Sequence, residues 1–274
     1  MKSKLFPSAA LIAAAMLISG PTLSAGFGAG VSPTKFELRA KPGATLRDVL
    51  TILNASDEPA EYALRTADWQ LNDDQSVEYF EDELLDGSCR PWVKLERRLL
   101  KIMGGGQKRY RFEVHVPEDT PAGLCKFAIL IEPGETAMAS VGDNGEIKFP
   151  VVGRYAVTVY VTVGDAKSDI EFLGLGEQQF GTIRLPTLQF RNNGSTYDRA
   201  FGQVTATDAA GTRHTLVAST FPVLPGRTEN ILLALENNPN QEDIVVIEYP
   251  LNLKGRIQIG GQTFKIEEAD WGSE

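Results

Sequence analysis

An all-β fold of two consecutive immunoglobulin-like β-sandwich domains is what this sequence predicts, and three observations carry the prediction. Short runs of alternating or β-branched apolar residues recur along the chain, bounded by Gly, Pro, Asn or Asp. No long stretch repeats its apolar residues at the 3.6-residue period of a helix. Over residues 164–168 the pattern breaks into small and polar residues, and a second series of strand-like runs begins beyond.

The chain opens with Lys2 and Lys4, an apolar run over residues 9–18, then Gly20, Pro21 and the small-residue stretch 22–25. This is the layout of a cleavable secretory signal peptide, with the cut expected after Ala25, and the run is too short to span a bilayer comfortably. Residues 1–25 are therefore read as the signal, 26–164 as the first sandwich and 165–274 as the second. No later stretch approaches the roughly 20 apolar residues of a transmembrane helix. The mature protein is expected to be soluble outside the cytoplasm, without stable membrane insertion.

In the first series, strands are expected over residues 46–53, 62–69, 91–102, 111–116, 124–131 and 151–163. Asn54-Ala55-Ser56-Asp57 ends the first run as a turn, Gly104-Gly105-Gly106 supplies a turn at low steric cost, and Pro117 stops the run in which Phe112, Val114 and Val116 share a face. Residues 135–150, with the turn Asp143-Asn144-Gly145, read as a long, partly hairpin-like connection. The second series places strands at 183–191, 201–206, 215–218, 229–235, 244–251, 256–259 and 263–266. Residues 78–85 and 96–100 have helix-forming composition, and the second of these runs into Ile102 and reads as strand.

Composition narrows the function. With 42% hydrophobic residues the chain can build packed cores. The formal net charge is −9, and loss of Lys2 and Lys4 takes it to −11. That balance disfavours nucleic acid and anionic membrane surfaces as partners. Two cysteines remain after export, Cys89 and Cys125, and an isolated pair in an oxidising compartment is expected to form a disulfide. The closed loop of about 37 residues is worth about 3–4 kcal/mol in the chain-entropy picture.

Catalytic signatures are missing. His115 lies on the polar face of its strand and His214 beside a turn, neither with a metal-ligand neighbour at useful spacing. The chain has no Gly-x-Ser-x-Gly elbow and no phosphate-cradling Gly-Lys-Ser/Thr loop. The acidic stretch from Asp73 to Asp86 lacks the ligand order of a calcium loop and reads as a solvated segment, partly packed through Tyr79, Phe80, Leu84 and Leu85. Asn54-Ala55-Ser56 and Asn193-Gly194-Ser195 match the glycosylation triplet, but both fall where turns need Asn. A non-enzymatic protein without metal or cofactor is expected.

Residues 151–163 form the longest alternating run. Tyr155, Val157, Val159, Val161 and Val163 fall on one face, and Arg154, Ala156, Thr158, Tyr160 and Thr162 on the other. If its first half lies at a sheet edge, its backbone is open to a partner strand; otherwise it is a paired strand crossing the core.

Several motifs together give a family resemblance over about residues 31–163. They are the opening Val31-Ser32-Pro33-Thr34-Lys35-Phe36-Glu37-Leu38, Thr51-Ile52-Leu53-Asn54, Pro91-Trp92-Val93 running through Leu99-Leu100 to Gly106-Gln107, and Val116-Pro117-Glu118-Asp119 with Gly123. In this order they resemble the N-terminal domain of PapD-like periplasmic pilus-assembly chaperones. The resemblance implies an angled pair of sandwiches with a cleft, no enzymatic activity, pilin-like protein subunits as clients and an outer-membrane usher as a further partner. It implies edge-strand donation by Tyr155, Val157, Val159 and Val161. It also implies capture of a client carboxylate by two basic residues, for which Lys35 and Arg154 are the candidates. Arg154 sits early for that role, and the later half of the run carries no Lys or Arg. The competing reading is a secreted two-module binding or structural protein of a surface assembly.

Overall fold

The computed structural model describes residues 28–72, 76–134, 153–180, 183–236 and 247–272. The expected signal peptide, Asp73 and Asp74, and the connection 135–150 lie outside the described residues. Among those described, the structure is all-β apart from one 3-10 turn, Arg90–Trp92, and no helix is long and apolar enough to cross a membrane.

In chain order the first ten strands are β1 (Ala29–Ser32), β2 (Lys35–Ala40), β3 (Thr45–Asn54), β4 (Ala60–Leu71), β5 (Val77–Phe80), β6 (Val93–Leu95), β7 (Leu99–Ile102), β8 (Gln107–His115), β9 (Gly123–Pro133) and β10 (Tyr155–Val163). They make two sheets, β1-β3-β8-β6 and β2-β10-β9-β4-β5, with β7 also paired to β4. The alternation of β8 shows why they stack. Tyr110, Phe112 and Val114 are buried while Lys108, Arg109 and Arg111 are exposed, so one face turns to the other sheet. The enclosed core joins Leu50, Ile52, Leu64, Phe112, Phe127, Ile129, Val157, Val159 and Val161 among others.

The opening segment, expected as one strand, divides between the sheets: β1 pairs with β3 and β2 runs parallel to β10. Residues 91–102 are likewise not one strand. After the 3-10 turn, β6 joins β8 and β7 crosses to β4. Tyr110 holds the crossing, since its hydroxyl bonds the Arg97 carbonyl and accepts from the Arg97 amide at 3.3 Å. The helix-forming composition of 78–85 also yields no helix. Its first residues complete β5, and Arg90 bonds the carbonyls of Phe80, Glu81 and Glu83 at 3.1, 2.6 and 2.7 Å, groups that a helix would use internally. Cys89 and Cys125 are disulfide-bonded, with Cα atoms 5.5 Å apart, and so fasten this loop to β9.

The second set comprises β11 (Ile170–Phe180), β12 (Ile183–Asn192), β13 (Asp198–Arg199), β14 (Phe201–Thr207), β15 (Arg213–Ala218), β16 (Pro222–Val223), β17 (Thr228–Leu235), β18 (Leu251–Ile259) and β19 (Gln262–Trp271). Seven of them form one sheet, β11-β12-β17-β15-β14-β18-β19, and β13 pairs with β16. The sheet turns back on itself because β17 changes partner, from β12 through Leu232 to β15 from Leu233. Its two outer strands meet: the Trp271 indole donates to the Gly176 carbonyl at 3.0 Å, and Phe172 lies 5.9 Å from Phe264. The core holds Leu188, Phe190, Val204, Leu216, Ile231, Leu253 and Ile257.

Two readings are corrected here. β11 is absent from the sequence expectation, because Gly174 and Gly176 break its apolar alternation, and a bulge falls between Phe172 and Gly174. Residues 247–250 of the expected strand 244–251 are not strand, and the expected strand 256–259 is the end of the nine-residue β18.

Candidate functional site

The site is built around β10, which carries most of the residues singled out from sequence. Pairing with β9 runs its whole length, from Tyr155↔Ile131 to Val163↔Gly123. Pairing with β2 covers only Thr158 to Val163. The Thr158 amide donates to Thr34 and the Gly164 amide to Ala40, so the even-numbered peptide groups of β10 face β2. By the same alternation Ala156 presents its N–H and C=O on that side, two residues before β2 begins. No hydrogen bond reaches them there among the described residues. Among the described residues the start of β10 is therefore an open sheet edge, and its second half is a paired strand.

The side chains face differently from their expected role. Val157, Val159 and Val161 are at most 1% exposed and fill the sandwich's own core, with Tyr155 half-buried against it. They are committed to this chain's packing, so a partner strand at this edge would meet backbone. Lys35 and Arg154 are not brought together. Lys35 stands opposite Thr158, four residues along the chain from Arg154, about 13 Å at strand rise. Both are engaged with carboxylates. Lys35 pairs with Glu37 at 3.2 Å, and Arg154 pairs with Glu132 at 2.5 Å and Glu81 at 3.1 Å. Arg65 reaches the same two acids at 2.6 and 3.3 Å, which completes a balanced square of four charges over the first residues of β10.

At the other end of β10 the outer face of the sheet meets the second sandwich. Trp69, Leu71, Leu130 and Tyr160 form an apolar cluster that Leu224 enters, with Tyr197 and Phe221 packed against it. Thr162 and Thr196 share a buried hydroxyl hydrogen bond of 2.8 Å. Arg199 lies at the junction with its side chain 10% exposed. Its Nε donates to Glu37 at 2.9 Å, its Nη1 donates to the Thr220 carbonyl at 2.5 Å, and its guanidinium lies 5.1 and 5.4 Å from the Tyr160 and Tyr197 ring centroids. Burial pushes the Glu37 carboxyl up, but the hydrogen bonds and charges of Arg199 and Lys35 outweigh it and hold the group below its ordinary value. Burial raises both tyrosine hydroxyls. A cavity of about 250 Å³ opens beside this group, lined by Leu38, Arg39, Phe201, Glu37, Tyr197 and Arg199 among others.

Sequence reasoning missed Glu37, Tyr197 and Arg199 as a unit. A Tyr and an Arg in a turn-rich stretch are a faint signal, and the partner of Arg199 lies 162 residues away. The histidines lie elsewhere, His115 with Thr45 and Glu113, and His214 with Asp208. Among the described residues no group of three His, Cys, Asp or Glu is placed to hold a metal ion.

No family model matches this chain, and no curated protein does. Solved structures do. The E. coli chaperone DraB is 13% identical, with 89% of this chain and 100% of that chain covered and a TM-score of 0.43. The CsuC–CsuE chaperone–tip subunit pre-assembly complex from Acinetobacter baumannii Csu pili matches at 12% identity, 87% and 96% coverage and TM-score 0.44. The Salmonella enterica SafA pilin in complex with the SafB chaperone matches at 12% identity, 88% and 96% coverage and TM-score 0.42. Each of these likenesses runs over most of this chain, at low sequence identity.

Proposed function

We propose that this protein is a periplasmic chaperone and assembly factor for pilin-like subunits, built from the two units 26–164 and 165–274. The observation that carries the reading is the edge at the start of β10 that is left unpaired among the described residues, where the Ala156 peptide groups face outward ahead of β2. A subunit with an incomplete sheet exposes unpaired N–H and C=O groups, and pairing them with this edge suppresses edge-to-edge aggregation. Main-chain hydrogen bonds supply the affinity, since Val157, Val159 and Val161 stay in their own core. An outer-membrane usher is the further partner that such an assembly role requires.

The test is co-expression of the tagged protein with pilin-like subunits, beside the variant Ala156→Pro. Proline removes one outward N–H at a sheet edge, where it is tolerated. Recovery of a stoichiometric subunit by the parent and its loss with the variant supports strand pairing here. Equal recovery by both places the client elsewhere on the protein. With no subunit recovered by either, the surface-module reading replaces this one.

A further inference from the structure

The junction between the sandwiches holds a buried cation with a counter-ion supplied from within. Arg199 comes from the second sandwich and Glu37 from the edge strand of the first, and they meet at 2.9 Å. A guanidinium with 10% of its side chain exposed needs a fixed negative partner, because an unpaired charge in that setting is strongly unfavourable. Among the described residues Glu37 is the carboxylate within ion-pair distance of it. Asp198, its chain neighbour, is turned to other groups: its carboxylate accepts from the Arg199 backbone amide at 2.7 Å and from Ser168 Oγ at 3.0 Å.

We propose that Glu37 is a built-in occupant of this guanidinium, which joins the two sandwiches and closes Arg199 to carboxylates from outside. The neighbouring cavity of about 250 Å³, with Arg39 on its wall, has room for a small anion, so access does not explain the choice. Competition does. A tethered carboxylate acts at an effective concentration of millimolar or more and has already met the ordering cost that a free one must meet on binding. Lys35, at 3.2 Å from Glu37, holds that carboxylate in its charged form and in place. Glu37 is thereby a specificity-determining residue. On the assembly-factor reading above, which this deepens, a client's chain-terminal carboxylate is not anchored at Arg199.

The experiment follows arginine Nε–H resonances of ¹⁵N-labelled mature protein during titration with sodium acetate to about 100 mM at constant ionic strength. The parent is expected to show no saturable shift at Arg199. Glu37→Gln, which leaves the guanidinium without its counter-ion, is expected to bind acetate at least roughly tenfold more tightly. The added substitution Arg199→Gln should abolish that gain. Where Glu37→Gln does not fold, Glu37→Asp, which withdraws the carboxylate by one methylene, takes its place with the same expectation. Saturable acetate binding at Arg199 in the parent overturns the proposal, and so does a folded Glu37 variant that binds no more tightly than the parent. Because no client is present, failure here leaves the co-expression test of the assembly role standing.

Discussion

Two buried asparagines do the same work in the two halves of the molecule. Asn192 is fully buried, and its Nδ2 donates to the carbonyls of Thr196 and Val223 at 2.8 and 2.9 Å. Its Oδ1 accepts from the amides of Asp169 and Gly194 at 3.1 and 2.9 Å. Asn54 is also fully buried, bonding Glu58 and Ile102 carbonyls at 2.7 and 3.2 Å and accepting from Ser56. Burial leaves no room for a glycan on Asn54, so its triplet is structural. Replacing Asn192 by Ala strands four backbone groups, and urea denaturation should show a loss of about 2–4 kcal/mol. A second residue-scale effect is pH-dependent. His214 Nε2 lies 2.8 Å from Asp208, and this hydrogen bond is the first cause holding the Asp208 carboxyl below its ordinary value. A depressed folded-state value means stability that is present above the unfolded value, about 3.9, and lost as pH falls through the folded one. The urea midpoint of the parent should therefore exceed that of Asp208→Asn near neutrality and converge on it as pH drops below about 3.9.

At the scale of elements, the strands that were easy to read are those buried on one face. The run through β8 to Val116 alternates so cleanly that Phe112, Val114 and Val116 fall on one side in the sequence, and all three are buried. The faces of β10 were legible too, with Val157, Val159, Val161 and Val163 inward and Tyr160 outward. Strands with glycines or with a change of partner were not. Nothing local in residues 91–102 says that β6 and β7 belong to opposite sheets, since the Tyr110–Arg97 contact that divides them arises only once β8 is in place. β11 was hidden because Gly174 and Gly176 have no side chains to show a period. The disulfide was legible from cysteine count and compartment, whereas the Arg90 bonds that order the loop beside it required coordinates.

For the whole molecule, the contact between the sandwiches is both apolar and ionic. Leu224 is 5% exposed and inserts among Trp69, Leu130 and Tyr160, while the Tyr160 and Tyr197 rings stand 4.5 Å apart. Contacts of this kind couple the unfolding of two units, so calorimetry of the mature protein should show one transition. Leu224→Asp places an unpaired charge in that cluster. It should split the trace into two transitions, and a single unshifted transition would show that the two units are not coupled through this face.

The sequence by itself determined the all-β class, the paired cysteines and the inward and outward faces of the long alternating strand. These depend on local period and composition, which a single stretch of chain displays. Only the tertiary structure decided what that strand is free to do. Among the described residues it leaves one end of β10 open at Ala156, keeps its valines for the chain's own core, and separates Lys35 from Arg154. It also joins Glu37 to an arginine of the other sandwich, 162 residues away. Charge pairing across a junction is set by which surfaces meet, and no local pattern in the chain records that meeting.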